Sequence, residues 1–239
     1  MGYKNFFKKL LPDNIIFFFK KRTILKKKYF SLNELDKKIS KYLNYKNGYY
    51  VELGANDGIS QSNTLHFELY KNWKGILIEP IKAKYQQCIK VRNKINKFYN
   101  CACVSKEFKE DTVKIVYSNL RTITVDKNNI IDPKTHINND DLNFYQKHIN
   151  MKVEAKTLNS ILMEANAPKL IDLLSLDTEG YENEVLNGIN HDNYKFKFIL
   201  VETKDFKKTN EILEKYNYRL LEKLSHHDYF FKYYVNKYN

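Results

Sequence analysis

Short apolar runs that end in a glycine or an acid, each separated from the next by a helix-like stretch, constrain this chain more than any other feature. Tyr49–Gly54 (YYVELG) is the first. A helix starting near Ser60 or Ser62 is predicted to follow it, with Leu65, Leu69 and Trp73 on one face. Gly75–Pro80 (GILIEP) is a second buried strand, and Tyr85, Cys88, Ile89 and Arg92 mark the next helix. Phe98–Val104 is a third strand that puts Cys101 and Cys103 on one face as core thiols. Thr157 caps a helix carrying Leu158, Ile161, Leu162 and Ala165, which Pro168 closes. Ile171–Asp177 and Phe196–Glu202 are further strands, with a short helix through Tyr181, Val185 and Leu186 ending at Gly188 between them. After a helix marked by Ile212, Leu213 and Tyr216, Tyr218–Leu224 and Tyr229–Val235 form an antiparallel hairpin. Strands alternating with helices predict an α/β fold: a mostly parallel sheet with helices on both faces, completed by the hairpin.

This alternation starts near residue 41, which divides the chain into an N-terminal arm, 1–40, and one domain, 41–239. Residues 118–150 interrupt it with a polar, Asn- and Asp-rich stretch, the profile of a lid-like insertion. No apolar run is long enough to span a bilayer, and Ile15–Phe19 is too short for a secretory signal. Cys88, Cys101 and Cys103 cannot build a disulfide framework, and no Cys/His spacing matches zinc. The expectation is a cytoplasmic protein.

The net charge of +13 raises the question of nucleic acid. Arginine, the residue that forks onto bases and phosphates, occurs only at positions 22, 92, 121 and 219, so the excess is lysine and argues against a nucleic-acid partner. The charge is concentrated in residues 1–30, where nine basic side chains stand against Asp13 alone, interleaved with Phe6, Phe7 and the Ile15–Phe19 run. Two readings fit: peripheral contact with an anionic membrane on its inner face, or a packed helix with solvated lysines.

Ligands of open α/β sheets sit beyond the carboxyl ends of the strands. The first strand runs into Glu52-Leu53-Gly54-Ala55-Asn56-Asp57-Gly58, whose glycines lack the G-x-G-x-x-G spacing and which lacks the Lys-Ser/Thr of a phosphate loop. Gly54 and Gly58 still let a ligand approach the backbone. Glu52 and Asp57 oppose a pyrophosphate and suit positive charge. The second strand closes on Glu79, 21 residues after Gly58, where a carboxylate can hold two ribose hydroxyls. A glycine loop without phosphate affinity and a ribose-binding acid together describe a nucleoside with a cationic tail, S-adenosylmethionine.

The segments VELGANDG (51–58), SNTL (62–65), WKGILIEP (73–80), TLNSIL (157–162), IDLLSLDTEGYE (171–182) and LVET (200–203) resemble the FkbM family of S-adenosylmethionine-dependent methyltransferases. The resemblance implies a seven-stranded class I methyltransferase fold and O-methylation of a small or glycosidic hydroxyl. It places Glu52, Gly54, Asn56, Asp57 and Gly58 against the methionine part of the cofactor and Glu79 against the ribose. By position in the fold, Asn100, Cys101 and Ala102 would lie near the adenine.

Asp177 and Glu179 follow the fourth strand, where methyltransferases of this fold often place catalytic groups; either can accept the proton of the acceptor hydroxyl. Alternatively, Asp177 and Glu202 hold a magnesium ion that acidifies the hydroxyl. The bland reading of these acids is a helix cap or a partner for lysine. His136, His148, His226 and His227 are further candidate bases, whereas His66 reads as packed and His191 as a loop residue. Arg121 is a candidate phosphate fork, or a surface residue. The function expected is methylation of a sugar hydroxyl of a surface glycan or its nucleotide-activated precursor. The alternatives are an RNA, lipid or secondary-metabolite acceptor, or a non-catalytic cofactor-binding or membrane-docking module.

Overall fold

The computed structural model describes residues 26–118, 121–125 and 149–235. The strands β1 (Tyr49–Leu53), β2 (Lys74–Ile78) and β3 (Lys97–Tyr99) open the main sheet. The chain then builds a smaller sheet from β4 (Ala102–Val104), β5 (Thr112–Ser118), β6 (Arg121–Val125) and β7 (Ile149–Thr157). It returns to the main sheet as β8 (Leu170–Leu176), β9 (Lys195–Glu202), β10 (Tyr218–Lys223) and β11 (Asp228–Tyr233). Spatial order in the main sheet is β10-β11-β9-β8-β1-β2-β3, with β11 antiparallel to both its neighbours and the other pairs parallel. This is a mostly parallel seven-stranded sheet that the hairpin completes, as the sequence pattern led one to expect.

Both faces of the sheet are covered, as a near-continuous apolar strand composition requires. Period-two alternation sends Val51, Leu53, Ile76, Ile78, Leu174 and Leu176 to one core. It sends Tyr50, Leu77, Leu173 and Leu200 to the other. The flanking helices are α1 (Leu35–Ile39), α2 (Leu65–Lys71), α3 (Lys82–Val91), α4 (Leu158–Glu164), α5 (Glu182–Asn187) and α6 (Phe206–Lys215). Thr157 caps α4, its side chain accepting from the Ser160 amide, and Leu158, Ile161 and Leu162 are buried beneath. None of the described helices is long and apolar enough to cross a membrane.

Three sequence expectations change. Helix α2 starts at Leu65, because the Ser62 hydroxyl accepts from the amides of Thr64 and Leu65 and the turn before it is still loop. It stops at Lys71 with Asn72 left-handed, so Trp73 lies beyond it and Leu69 is exposed; Leu65 and Phe67 are the residues that pack inward. The run Phe98–Val104 is two strands rather than one. The Asn100 amide group donates to the carbonyls of Glu79 (2.8 Å) and Pro80 (2.9 Å), wrapping the chain around the end of β2 and sending β4 to pair with β7. The irregular stretch expected from residue 118 is bordered by strands: β5 runs to Ser118 and pairs antiparallel with β6 and β7. The rest of that insertion, with His136 and His148, and most of the N-terminal arm lie outside the described residues.

Candidate active site

The chain passes outward from β1 through β2 to β3 and later crosses back to β8 on the other side of β1, so strand order reverses between β1 and β8. A crevice opens at such a point because consecutive connections leave in opposite directions. Here it is a cavity walled by Leu53 and Gly54 after β1, Ile78 and Glu79 after β2, Cys101 to Cys103 where β3 gives way to β4, and Asp177 to Glu179 after β8.

Gly54 is left-handed (φ 78°), and a Cβ there would stand 2.3 Å from the Asp177 carbonyl oxygen. Only glycine lets the β1 and β8 ends approach this closely. Gly54→Ala therefore displaces one of them. It is expected to cost at least about 1–2 kcal/mol of stability in backbone strain and on the order of 10²-fold in kcat/KM. An unchanged melting temperature and unchanged turnover would contradict this packing.

Glu79 is buried at the cavity wall, 6% exposed. Its Oε1 accepts from the Ile81 amide and its Oε2 from the Asn56 amide, both at 2.8 Å, which ties the β2 end to the glycine loop. Burial pushes this carboxyl up to about 7 against the pull of those two amides, so its charge is sensitive near neutrality. Asn56, itself left-handed (φ 49°), lines the same cavity, and its buried Oδ1 has no hydrogen-bond partner among the described residues. An acceptor left open in this way is uncommon in an interior and marks a place for a donor from elsewhere.

The other predicted loop residues act from behind the wall. Alternation puts Glu52 on the Tyr50 face, away from the cavity, where α2 and α3 bring Glu68 and Arg92. The Glu52 carboxylate accepts from the Ser62 and Thr64 hydroxyls, the Asn63 amide and Arg92 (3.1 Å). Arg92 is fully enclosed. It donates to Glu68 (2.8 Å), the Tyr50 hydroxyl, the Thr64 hydroxyl and the Gly58 carbonyl, and so fastens the underside of the loop. Burial would lower its pKa, but Tyr50, Glu52 and Glu68 outweigh that and raise it. Asp57 accepts from the Ile59 and Ser60 amides and the Ser60 hydroxyl, a local turn. A Cβ on Gly58 (φ 80°) would press on Arg92 and Cys88 at 3.0 Å. Asn100 secures the β2 end as described, while Cys101 and Ala102 do line the cavity. Gln61 and Lys84, which the sequence reading did not single out, also lie in this wall.

Asp177 faces two cavities. The second lies between the segment before α1 and the ends of β8, β9 and β11, and Asp177 and Gln61 line both. Burial raises the Asp177 carboxyl well above its usual range, and the nearby carboxylates of Glu202, Glu179, Glu182 and Asp228 add to it. Glu202 is pushed up to about 7 by burial and by Asp228, its register partner across β9 and β11. Asp228 was missed in the sequence, since only the strand register brings it beside Glu202. The Asp177–Gly180 turn is shaped by Glu182, whose Oε1 accepts from the amides of Thr178 (3.1 Å) and Gly180 (2.8 Å) and holds Glu179 left-handed at φ 54°. Among the described residues no group of three or more His, Cys, Asp or Glu is arranged to hold a metal ion.

The described histidines sit elsewhere. His66 is buried, its Nδ1 at 2.8 Å from the Lys28 carbonyl oxygen and its ring stacked on Tyr29. His191 is on a loop but buried, stacked 3.8 Å from Tyr216. His226 and His227 lie in the β10–β11 turn against each other, outside both cavity walls.

A family model, the methyltransferase FkbM domain, matches residues 52–231. Among solved structures, the chain is similar to the precorrin-6y C5,15-methyltransferase of Geobacter metallireducens GS-15, with 11% identity and a TM-score of 0.41 over 83% of this chain and 85% of that one. No curated protein matches.

Proposed function

The chain belongs to the FkbM methyltransferase family, and from that footing we propose that it is an S-adenosylmethionine-dependent O-methyltransferase acting on a sugar hydroxyl of a surface glycan or its precursor. The observation that carries the reading is one cavity whose wall combines Glu79 and the open Asn56 Oδ1 with Asp177.

The residues present suit the cofactor. The Glu79 oxygens each accept one amide and retain a lone pair for the ribose diol. Cys101, Ala102 and Cys103 give a small, apolar wall for the base. Glu79, Asp177 and Glu179 against Lys84 favour a sulfonium and an ammonium over a phosphate. When bound, S-adenosylmethionine supplies a methyl carbon on positive sulfur, and transfer to oxygen leaves both electrons of the broken C–S bond on that sulfur.

The protein's part is to place the acceptor oxygen and take its proton. Asp177, common to both cavities, accepts the hydroxyl proton as the new O–C bond forms, becomes a neutral carboxyl and passes the proton to solvent. Glu179 stands as the alternative base, on a turn that Glu182 fixes. The reading extends to a cytoplasmic enzyme whose residues 1–30 touch an anionic membrane face. The test is transfer of a labelled methyl group from S-adenosylmethionine to a panel of glycans and glycan precursors. No transfer to any of them would contradict the sugar acceptor. The magnesium reading on Asp177 and Glu202 predicts loss of that turnover in excess EDTA, and undiminished turnover would remove it.

A further inference from the structure

We propose that Lys84 is a positioning residue of the cofactor site: its ammonium keeps the Glu79 carboxyl charged, so that the ribose diol meets a carboxylate at neutral pH. The proposal rests on the cavity being the site of S-adenosylmethionine.

Lys84 is the one lysine or arginine in the lining of that cavity, set among Glu79, Asp177 and Glu179. It is half-buried on the first turn of α3, the helix whose N-terminal residue Ile81 donates its amide to Glu79. The end of β2 and the start of α3 therefore carry the carboxylate and the ammonium on one short piece of chain, with the carboxylate at the helix N-terminus. Among the described residues no hydrogen bond or ion pair commits the Lys84 side chain, so its charge reaches Glu79 through space.

A lysine at this place has no direct use for the ligand. S-adenosylmethionine is positive at sulfur and at its amine, and its one carboxylate belongs to the methionine part, towards Gly54 and Asn56. An ammonium beside the ribose end repels the ligand's own charge. Its benefit comes through Glu79, whose burial pushes the carboxyl up to about 7. A carboxyl balanced near the working pH is where a nearby cation changes the charged fraction most.

The other groups around Glu79 do not supply this. Cys88 of α3, and Cys101 and Cys103 around the start of β4, are held as neutral thiols by burial. Asp177, also raised by burial, and Glu179 bring no positive charge from the β8 side. Asp57 in the glycine loop pushes Glu79 up, against Lys84 and less strongly. Lys82, on the same turn as Lys84, is exposed and outside the lining. Arg92, just beyond α3, is engaged with Glu52 and Glu68.

The experiment compares the full wild-type chain with Lys84→Met and Lys84→Arg. Glu79 is titrated first without cofactor, by carboxyl carbon-13 NMR of glutamate-labelled protein, its signal being the one that Glu79→Gln removes. Affinity for S-adenosylmethionine is then measured by calorimetry from about pH 6 to about pH 8.5. In Lys84→Met the Glu79 midpoint is expected to move up by about 0.3–1 pH unit, since a charge out of contact acts more weakly than a contact pair. Affinity near pH 6 falls by the matching factor of about 2–10, while near pH 8.5 it is no weaker than wild type. Lys84→Arg keeps the charge and with it the wild-type midpoint. A Glu79 midpoint that stays put in Lys84→Met overturns the proposal, as does an arginine variant that behaves like the methionine one. An equal loss of affinity at every pH also overturns it, because Lys84 would then touch the ligand directly. Wild-type binding that ignores pH, or no binding at all, would instead strike the cofactor reading, while the Glu79 titration still decides whether Lys84 acts on that carboxyl.

Discussion

Asp177→Asn is expected to lower kcat by about 10²–10⁴-fold, the range a positioned general base contributes, while affinity for S-adenosylmethionine falls by a much smaller factor. The substitution keeps the shape of the β8 end and its packing against Gly54, so the cavity wall survives and the proton acceptor does not. In the free protein, burial and the neighbouring carboxylates favour the protonated form of Asp177. Positive charge entering the cavity opposes that and favours the ionised form that a base requires. Turnover should therefore rise with pH as this carboxyl ionises, and the residual turnover of the asparagine variant should lack that rise. Stopped-assay pH profiles of both proteins, at saturating cofactor, make the comparison. If Asp177→Asn retains wild-type kcat, the base lies elsewhere, and Glu179 is the first residue to examine.

Arg92→Met should cost about 3–5 kcal/mol of stability, because removing one partner of a buried ion-pair cluster leaves the others charged and unpaired. Glu52 and Glu68 both lie against Arg92 with almost no exposure. Burial pushes Glu68 up, yet Arg92 and the Asn93 amide outweigh it and keep it below its usual range. Taking the guanidinium away reverses that balance, leaves Tyr50 and Thr64 without their donor and frees the Gly58 carbonyl. Urea unfolding monitored through Trp73, buried in the core on the same face of the sheet, reads the loss. A cost below about 1 kcal/mol would mean that the cluster is solvated rather than enclosed.

Much of this architecture was legible because it depends on local patterns. Apolar runs ending in glycine or acid gave the strand ends, Thr157 and Gly188 gave helix limits, and the distance from Gly58 to Glu79 identified a carboxylate that does line the cavity. What the sequence withheld depends on partners far apart in the chain. Glu52 looked like a cofactor contact because it sits in the loop motif, but alternation along β1 turns it to the face where Arg92 waits forty residues later. Asp57 and Asn100 were likewise polar residues at the right address whose side chains organise backbone rather than the cavity. Asp228 became visible only through the register that sets it opposite Glu202. The break between β3 and β4 was hidden because a continuous apolar run carries no mark of the sheet to which each half belongs.

The most direct test of the account is calorimetric titration of the purified chain with S-adenosylmethionine at a series of pH values, alongside Glu79→Gln. Burial raises this carboxyl from its ordinary 4.5 to about 7. A diol donating to the carboxylate favours the ionised form. Binding should therefore release a proton and tighten as pH rises towards and through 7. The glutamine variant should bind about 10–100-fold more weakly above pH 7 and lose the part of the pH dependence that Glu79 supplies. No binding by the wild-type chain, or a variant with the same affinity and the same pH profile, would contradict the central claim.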